Sequence, residues 1–299
     1  MCLKIINYKM EIILICPFEN EVSIKTSFDI LKLLLNEKIS VKVDKKLLKA
    51  FNKIDKNIKI NLYEDLNSSA DFLFCVGGDG SMLKAVSFLK QNQVPILGIN
   101  IGRLGFLTGI QKENLTQGIN SLKSKKFSLI NRELLTLKTN RKIELEFPYA
   151  LNEITVSRKN TASLISIETS INKIKLSKYW ADGLIIATPT GSTGYNLSSG
   201  GPIMLPETPS LLITPIAAHN LNVRPLVIPN ESIIDLEVDG QGAGNEHFMS
   251  LDSKLISIPY KTKINISKAS FVVKTVQFKN NEFYSDLSEK LFWGLDKRN

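Results

Sequence analysis

Cysteine and histidine are both scarce in this sequence, and their scarcity argues against several kinds of site. The three cysteines, Cys2, Cys16 and Cys75, are widely spaced and include no C-x-x-C pair. That spacing argues against a disulfide framework and against a thiolate metal site. His219 and His247 are the only histidines, so a two-histidine metal cage or a Ser-His-Asp triad is not expected. We expect the chemistry to rest on carboxylates, backbone amides and hydroxyls.

Long hydrophobic runs are also missing. The longest, at residues 12–16 and 211–218, are well short of the roughly 18 residues that a membrane span needs. The start of the chain has one lysine but no sustained apolar stretch leading to a small-residue cleavage site, so no signal peptide is predicted. The sequence predicts a soluble, cytoplasmic protein with no membrane partner.

Arginine is rare beside lysine, although the chain is basic overall. The formal net charge is +9, but the sequence contains only six arginines, and its lysines are spread along the whole chain. This distribution is typical of solvated lysine faces rather than of a dedicated nucleic-acid patch. No basic run alternates with aromatic residues as a stacking surface would. We therefore expect no nucleic-acid partner.

The 126 residues at the start of the chain alternate between short β-rich runs and helical periodicity. Runs at residues 11–16, 39–43, 72–76 and 95–100 are predicted strands, and apolar residues spaced for helices follow two of them. Residues 45–65 show no clear pattern. This alternation predicts a Rossmann-like parallel-sheet domain over residues 1–126.

Residues 127–279 instead show strand-like alternation, with little helical periodicity. Predicted strands lie at residues 134–138, 143–147, 154–157, 164–171, 233–238 and 271–276. We expect a β-rich, β-sandwich-like domain here, with the active site in the cleft between the two domains. The apolar residues of 280–299 predict a C-terminal tail that docks back on the body.

Three glycines surround one carboxylate where the strand at 72–76 ends and a helix begins. Gly77, Gly78 and Gly80 leave bare backbone that can approach a phosphate, and the first amides of the helix favour an anion. Asp79 would repel a phosphate unless it takes a proton from an attacking hydroxyl or a divalent cation lies between them. The alternative is that Asp79 only caps the helix. A second glycine-bearing turn, at residues 98–108, ends the next strand, so the two turns are expected to form a cleft.

Two further blocks lie in the β-rich region. Asn152 and Glu153 are an amide and a carboxylate side by side, a pair that can receive the two hydroxyls of a ribose if a turn or bulge brings both to one ligand. Residues 182–202 run from Asp182 through an apolar strand into a loop of glycine, small hydroxyl residues and one tyrosine. Such a loop predicts a site for a flat polar ligand.

These blocks, in this order, resemble the NAD kinase family over residues 70–294. The resemblance implies transfer of the γ-phosphoryl group of ATP to the adenosine-ribose 2′-hydroxyl of NAD, with Asp79 as general base. It also implies that Gly77, Gly78 and Gly80 face phosphates and that a divalent ion, usually Mg²⁺, is bound with ATP rather than by a dedicated protein site. Asp182 would reach the site from a neighbouring subunit of a homo-oligomer. The residues implied to contact the dinucleotide are Lys84, Asn152, Glu153, Asp182, Thr193, Gly194, Tyr195, Asn196, Leu197 and Ser198.

One motif of the family has two candidate positions in this chain. An Asp-Gly-Gln is common near the end of the β-rich domain, and Asp239-Gly240-Gln241 has those letters. The spacing to the C-terminal tail favours Asp252-Ser253-Lys254 instead, which puts Lys254 where an amide is usual.

The same residues also allow alternative functions. A lipid or sugar kinase could use the same Gly-Gly-Asp-Gly, and a non-catalytic dinucleotide sensor could keep the binding loops. A basic nucleic-acid-binding protein is a third alternative. The signatures of P-loop NTPases and protein kinases are absent.

Overall fold

Two compact units make up the chain, one formed by residues 1–130 with 274–299 and the other by residues 131–273. The computed structural model describes residues 10–63, 70–102, 105–160, 164–240, 245–278 and 282–291. Within these residues, no helix combines the length and the hydrophobicity needed to cross a membrane.

The first unit has a parallel sheet with the strand order β3-β2-β1-β4-β5. Two further strands join it beside β5: β6, and the end of β18, where Thr275 pairs with Ile96. A short 3-10 turn at Lys112–Asn114 precedes α4. The elements are β1 (Glu11–Ile15), α1 (Glu21–Asn36), β2 (Ser40–Val43), α2 (Lys45–Ile54), β3 (Asn61–Leu62), β4 (Phe72–Val76), α3 (Asp79–Leu89), β5 (Ile96–Asn100), β6 (Ile110–Gln111), α4 (Leu115–Lys123), β18 (Lys263–Gln277) and α6 (Glu282–Leu291).

The central strands β1, β4 and β5 are almost fully buried, which is why they are continuous apolar runs in the sequence. The four strands predicted here are confirmed to within a residue or two. Helix α2 lies in the stretch for which no element is predicted, although its apolar residues have helical spacing: Leu47, Leu48, Phe51 and Ile54. Asp44 begins this helix by accepting a hydrogen bond of 2.7 Å from the Leu47 amide.

The second unit is a sandwich of two antiparallel layers. One layer has the order β14-β13-β12-β9-β16-β17, and the other contains β11-β10-β15 and the first part of β18. The remaining elements are β7 (Ser128–Thr139), β8 (Tyr149–Ala150), β9 (Glu153–Ser157), β10 (Ile165–Ile171), β11 (Ile174–Ala181), β12 (Gly183–Ala187), a 3-10 turn (Thr190–Thr193), α5 (Tyr195–Ser198), β13 (Ser210–Ile216), β14 (Leu226–Pro229), β15 (Ile234–Gly240), β16 (Glu246–Leu251) and β17 (Lys254–Pro259).

Side chains of the two layers share one apolar core. Ile154, Ile186 and Met249 from one layer pack with Ile167 and Val238 from the other. The parallel-sheet and β-rich classes predicted for the two parts of the chain are therefore confirmed.

The predicted strand at 143–147 is wrong. That segment has no ladder partner in the structure and leads into Pro148. Ile143 and Leu145 pack against the core of the second unit without forming a strand. Their alternation thus reflects burial alone, without the hydrogen-bonded partner that a strand has.

Candidate functional site

The strand-to-helix turn of the first unit sets the conformation around Asp79. Gly77 has a φ of +140°, and a Cβ at this position would lie 2.0 Å from the hydroxyl of Ser81. Gly78 is the N-cap of α3, so Asp79 is the first helical residue and does not cap the helix. The capping alternative for Asp79 is therefore wrong, and its carboxylate is available for another role.

The Asp79 carboxylate is held by the second glycine-bearing turn. It accepts hydrogen bonds from the amide of Phe106, at 2.8 Å on Oδ2, and from the amide of Leu107, at 3.0 Å on Oδ1. A Cβ at Gly105 would lie 1.9 Å from Oδ1, so only glycine lets the turn approach this closely. The turns that follow the neighbouring strands β4 and β5 thus meet, with the carboxylate between them.

Lys84 lies on the exposed surface of α3, one turn after Gly80. Its Nζ is 3.8 Å from the centre of the Phe18 ring, a cation–π distance. Phe18 follows β1 and is 47% exposed. Phe18 is not predicted as a site residue from the sequence, because a single phenylalanine in a loop carries no pattern.

In the second unit, Asp252 organises the turn that carries Asn152 and Glu153. Its carboxylate accepts hydrogen bonds from three successive amides, those of Leu151, Asn152 and Glu153, at 2.8 to 3.1 Å. The chain bends at residues 151–152 before β9 begins at Glu153. A turn at this position is what the sequence requires for Asn152 and Glu153 to reach one ligand.

Each residue of this pair has one buried oxygen without a partner in the described part of the chain, and both side chains lie near Gly194. Oδ1 of Asn152 and Oε2 of Glu153 have no hydrogen-bond partner among the described residues. A Cβ at Gly194 would lie 3.0 Å from that Glu153 oxygen and 3.6 Å from Nδ2 of Asn152. Buried polar atoms are normally paired, so these two oxygens point to a ligand with hydrogen-bond donors.

Burial changes the protonation of the two carboxyl groups. Desolvation, followed by the charge of Asp252, raises the pKa of Glu153 to about 8, against a smaller lowering by a hydrogen bond from the Tyr195 backbone. Desolvation also raises the pKa of Asp252 to about 6, although its three amide hydrogen bonds act in the opposite direction. Both carboxyl groups therefore keep their protons to a higher pH than exposed carboxyl groups do.

Thr188 ties the loop after β12 to the Asn152 turn. Its hydroxyl donates to the carbonyl of Leu151 at 2.6 Å and accepts from the Gly191 amide at 3.1 Å. A Cβ at Gly191 would lie 2.1 Å from the carbonyl oxygen of Asn152. The loop and the turn are thus packed backbone to backbone, which a side chain at position 191 would prevent.

Asn196 differs from the other predicted dinucleotide residues in this loop. It is fully buried: its Nδ2 donates to the carbonyls of Ser192 and Pro202, and its Oδ1 accepts from the hydroxyl of Thr214. Tyr195 and Ser198 beside it are exposed, while Thr193, Gly194 and Leu197 are half-buried. The Asn196 side chain therefore holds the loop together, and its neighbours carry the accessible surface.

Asp182 lies at the opposite end of β12 from Thr188. The five residues of β12 lie between the two, which corresponds to about 20 Å of extended chain. Its carboxylate pairs with Arg158, with 2.9 Å between Nη2 and Oδ2. The structure thus places Asp182 apart from Thr188 and the Asn152 turn, fixed by a half-buried ion pair.

Of the two candidate Asp-Gly-Gln positions, Asp252 is the one that contacts the Asn152 turn. Asp239 accepts a hydrogen bond from the adjacent Gly240 amide, and Gln241 lies outside the described residues. Lys254 is exposed at the start of β17. Residues 292–299 of the predicted C-terminal tail also lie outside the described part of the chain.

A dedicated metal centre is not seen in the described part of the chain, where no three Asp, Glu, His or Cys residues cluster. Mg²⁺ sites commonly combine one or two carboxylates with substrate phosphates and waters. Asp79, a single carboxylate beside bare glycine backbone, fits an ion that arrives with a phosphate ligand.

Comparison with known proteins gives matches along most of the chain. The family described as ATP-NAD kinase N-terminal domain matches residues 12–127, and the ATP-NAD kinase C-terminal domain matches residues 151–278. The chain is 48% identical over 276 residues to an NAD kinase of Christiangramia forsetii, covering 90% of this chain and 93% of that protein.

Two solved structures share the fold. A yeast NADH kinase complexed with NADH superposes with a TM-score of 0.86, at 24% identity, over 97% of this chain and 89% of its own. At that identity the likeness concerns the fold alone. An NAD kinase from Archaeoglobus fulgidus in complex with ATP superposes with a TM-score of 0.71, at 25% identity, over 95% of this chain and 99% of its own.

Proposed function

The chain belongs to the NAD kinase family, and from that premise we propose that it transfers the γ-phosphoryl group of ATP to the adenosine-ribose 2′-hydroxyl of NAD, giving NADP and ADP. The observation that carries the proposal is the position of the Asp79 carboxylate. Asp79 is flanked by three glycines where a parallel strand ends, and two backbone amides from the next turn hold its carboxylate. The family match and the relatives named as NAD kinases support the choice of substrates.

Asp79 acts as general base in this proposal. A carboxylate oxygen takes the proton of the 2′-hydroxyl while the hydroxyl oxygen forms a bond to the γ-phosphorus. The bond from that phosphorus to the β–γ bridging oxygen breaks, and ADP leaves with the electron pair. The amides of Phe106 and Leu107 fix the orientation of the carboxylate and leave it further lone pairs for the proton.

The phosphates are assigned to the start of α3. Gly77, Gly78 and Gly80 present backbone without side chains, and the first amides of this 11-residue helix favour negative charge. A divalent ion, Mg²⁺ in this proposal, would be carried by ATP, with Asp79 as the nearby carboxylate. When bound, the ion neutralises charge on the transferred phosphoryl group.

The dinucleotide is assigned to the second unit and to Lys84. Asn152 and Glu153 receive the ribose hydroxyls on their unpaired oxygens. Thr193, Gly194, Tyr195, Leu197 and Ser198 line the pocket, and Tyr195 offers an exposed ring for a base. Asn196 positions this loop from within. Lys84, whose ammonium lies over the Phe18 ring on the exposed surface of α3, is proposed to contact the dinucleotide.

We also propose that Asp182 serves the site of a neighbouring subunit in a homo-oligomer. Its separation from Thr188 by the length of β12 and its fixed ion pair with Arg158 support a role away from its own loop. A cytoplasmic location is part of the same proposal, because the cytoplasm holds both substrates.

The test is an assay of the purified protein with NAD, ATP and Mg²⁺, in which an NADP-specific dehydrogenase detects the product. We expect Asp79→Asn to lower kcat by about a hundredfold or more, since a general base contributes roughly 10² to 10⁴, while NAD binding by calorimetry is retained. Asp29→Asn, on the exposed surface of α1, is the matched control and should behave as the wild type.

Other outcomes would select other functions. Near-normal turnover of Asp79→Asn would remove this residue from the base role. A protein that binds nucleotide but forms no NADP would favour a lipid or sugar kinase, tested by offering those acceptors. If no acceptor is phosphorylated, the dinucleotide sensor is favoured.

A further inference from the structure

Helix α6 contacts the turn that holds Asp79. Lys290, near the end of the helix, donates a hydrogen bond from Nζ to the carbonyl oxygen of Gly105. The same ammonium lies 4.7 Å from the centre of the Phe106 ring. Phe283, two helical turns earlier, packs against Phe106 with 6.3 Å between ring centres. The helix therefore contacts residues 105–106 through two side chains, those of Lys290 and Phe283.

A single peptide group joins Lys290 to Asp79. The carbonyl of Gly105 and the amide of Phe106 belong to the same planar unit. Lys290 donates to the oxygen of this peptide, and the N–H of the same peptide donates to Oδ2 of Asp79 at 2.8 Å. Hydrogen bonds at the two ends of one peptide polarise it and strengthen each other. The ammonium thus fixes the orientation of this peptide and strengthens its donation to the carboxylate.

We propose that Lys290 is a positioning residue for the reaction, acting on Asp79 through the Gly105–Phe106 peptide. This inference rests on the proposed base role of Asp79. A carboxylate that must meet a hydroxyl within hydrogen-bond range needs a fixed orientation, and misplacement by about 1 Å can cost up to 10²-fold in rate. Lys290 is 185 residues away from Gly105 in sequence, and it reaches Asp79 through the carbonyl oxygen of that residue.

The test compares Lys290→Met with Lys290→Arg in the NADP-forming assay. Methionine keeps the length and the packing on Phe106 but removes the donor, so we expect kcat to fall about tenfold with KM for NAD and ATP changed less than about twofold. Arginine keeps a donor and should recover most of the loss. The control is Lys123→Met, because Lys123 also donates to a backbone carbonyl, that of Glu37, within the same unit.

A double-mutant cycle separates positioning from general destabilisation. In the Asp79→Asn background, Lys290→Met should lower kcat by less than about twofold, because the group it positions has already been replaced. Equal losses in both backgrounds would overturn the inference, as would a normal kcat for Lys290→Met. A loss that follows a lower Tm and is not recovered by arginine would also overturn it, since Lys290 would then only anchor the helix.

Failure of the inference and failure of the proposed function give different results. If Asp79→Asn is defective and Lys290→Met is normal, the inference alone fails. If Asp79→Asn itself turns over normally, the base role fails and Lys290 has no carboxylate to position.

Discussion

The amide of Glu153 donates a hydrogen bond of 3.1 Å to Asp252, and the charge of Asp252 adds to the desolvation that raises the pKa of the Glu153 carboxyl group. The two acids are thus coupled both through the backbone and through space. Asp252 shapes the turn, while Glu153 keeps a buried oxygen without a partner among the described residues. This arrangement has consequences that can be measured in the absence of any reaction.

Stability should fall as the pH rises through neutrality. The folded protein holds the pKa of Asp252 at about 6 and that of Glu153 at about 8, both above their ordinary values of 3.8 and 4.5. The folded state therefore binds more protons than the unfolded state, so this contribution is complete below pH 4 and is lost through pH 6 and then pH 8. We expect Tm to decline between pH 6 and 9 by thermal denaturation.

Glu153→Gln isolates the upper part of that decline. The variant cannot ionise at this position, so its Tm should change less than that of the wild type between pH 7 and 9. Glu168→Gln, an exposed change on β10, should leave the decline intact. The pKa of His247 is lowered to about 4 by burial, so its effect lies on the acidic side and does not interfere. Parallel curves for wild type and Glu153→Gln would contradict this assignment.

NAD binding should release protons near pH 7.5. Ribose hydroxyls that donate to Glu153 favour its charged form, which lowers its pKa on binding. Calorimetry in buffers of different ionisation enthalpy measures the protons released, and we expect a fraction of one proton per site. Glu153→Gln should bind with no such release. Equal proton release by the two proteins would place the ribose elsewhere.

Gly105→Ala should damage turnover more than binding. The new Cβ would lie 1.9 Å from Oδ1 of Asp79, so either the carboxylate or the turn must move. We expect kcat to fall on the order of tenfold to a hundredfold, with KM for NAD nearly unchanged in the steady-state assay. Gly102→Ala is the control within the same turn, because a Cβ there has no described atom within 4 Å. Equal effects of the two changes would mean that the turn tolerates no side chain for reasons unrelated to Asp79.

Thr188→Val should weaken both the fold and NAD binding. The change leaves the Leu151 carbonyl and the Gly191 amide without their buried partner, a loss of about 1–3 kcal/mol in the free energy of unfolding. The Asn152 turn and the loop after β12 would also separate, so the Kd for NAD should rise. Thr188→Ser keeps the hydroxyl and should stay close to the wild type in urea denaturation and in calorimetry. A valine variant as stable as the serine variant would show that these two bonds add little.

The sequence by itself determined the class of each part of the chain and the position of its glycine-rich turns. Buried parallel strands are continuous apolar runs, and Gly77, Gly78 and Gly80 mark a strand-to-helix turn, because both signals depend on neighbours along the chain. The pair Asn152 and Glu153 and the loop after residue 187 could be found in the same way.

Only the tertiary structure decided which groups hold these residues in place. Asp252 is about 100 residues from the amides that it binds, and Lys290 is 185 residues from Gly105. No local periodicity encodes such contacts, since they depend on how distant elements pack. The same reason explains the error at residues 143–147, where burial against a distant core imitated the alternation of a strand. The Asn196 side chain makes internal hydrogen bonds, while Tyr195 beside it is exposed. The sequence of the loop alone does not distinguish these two neighbours, because the difference depends on packing.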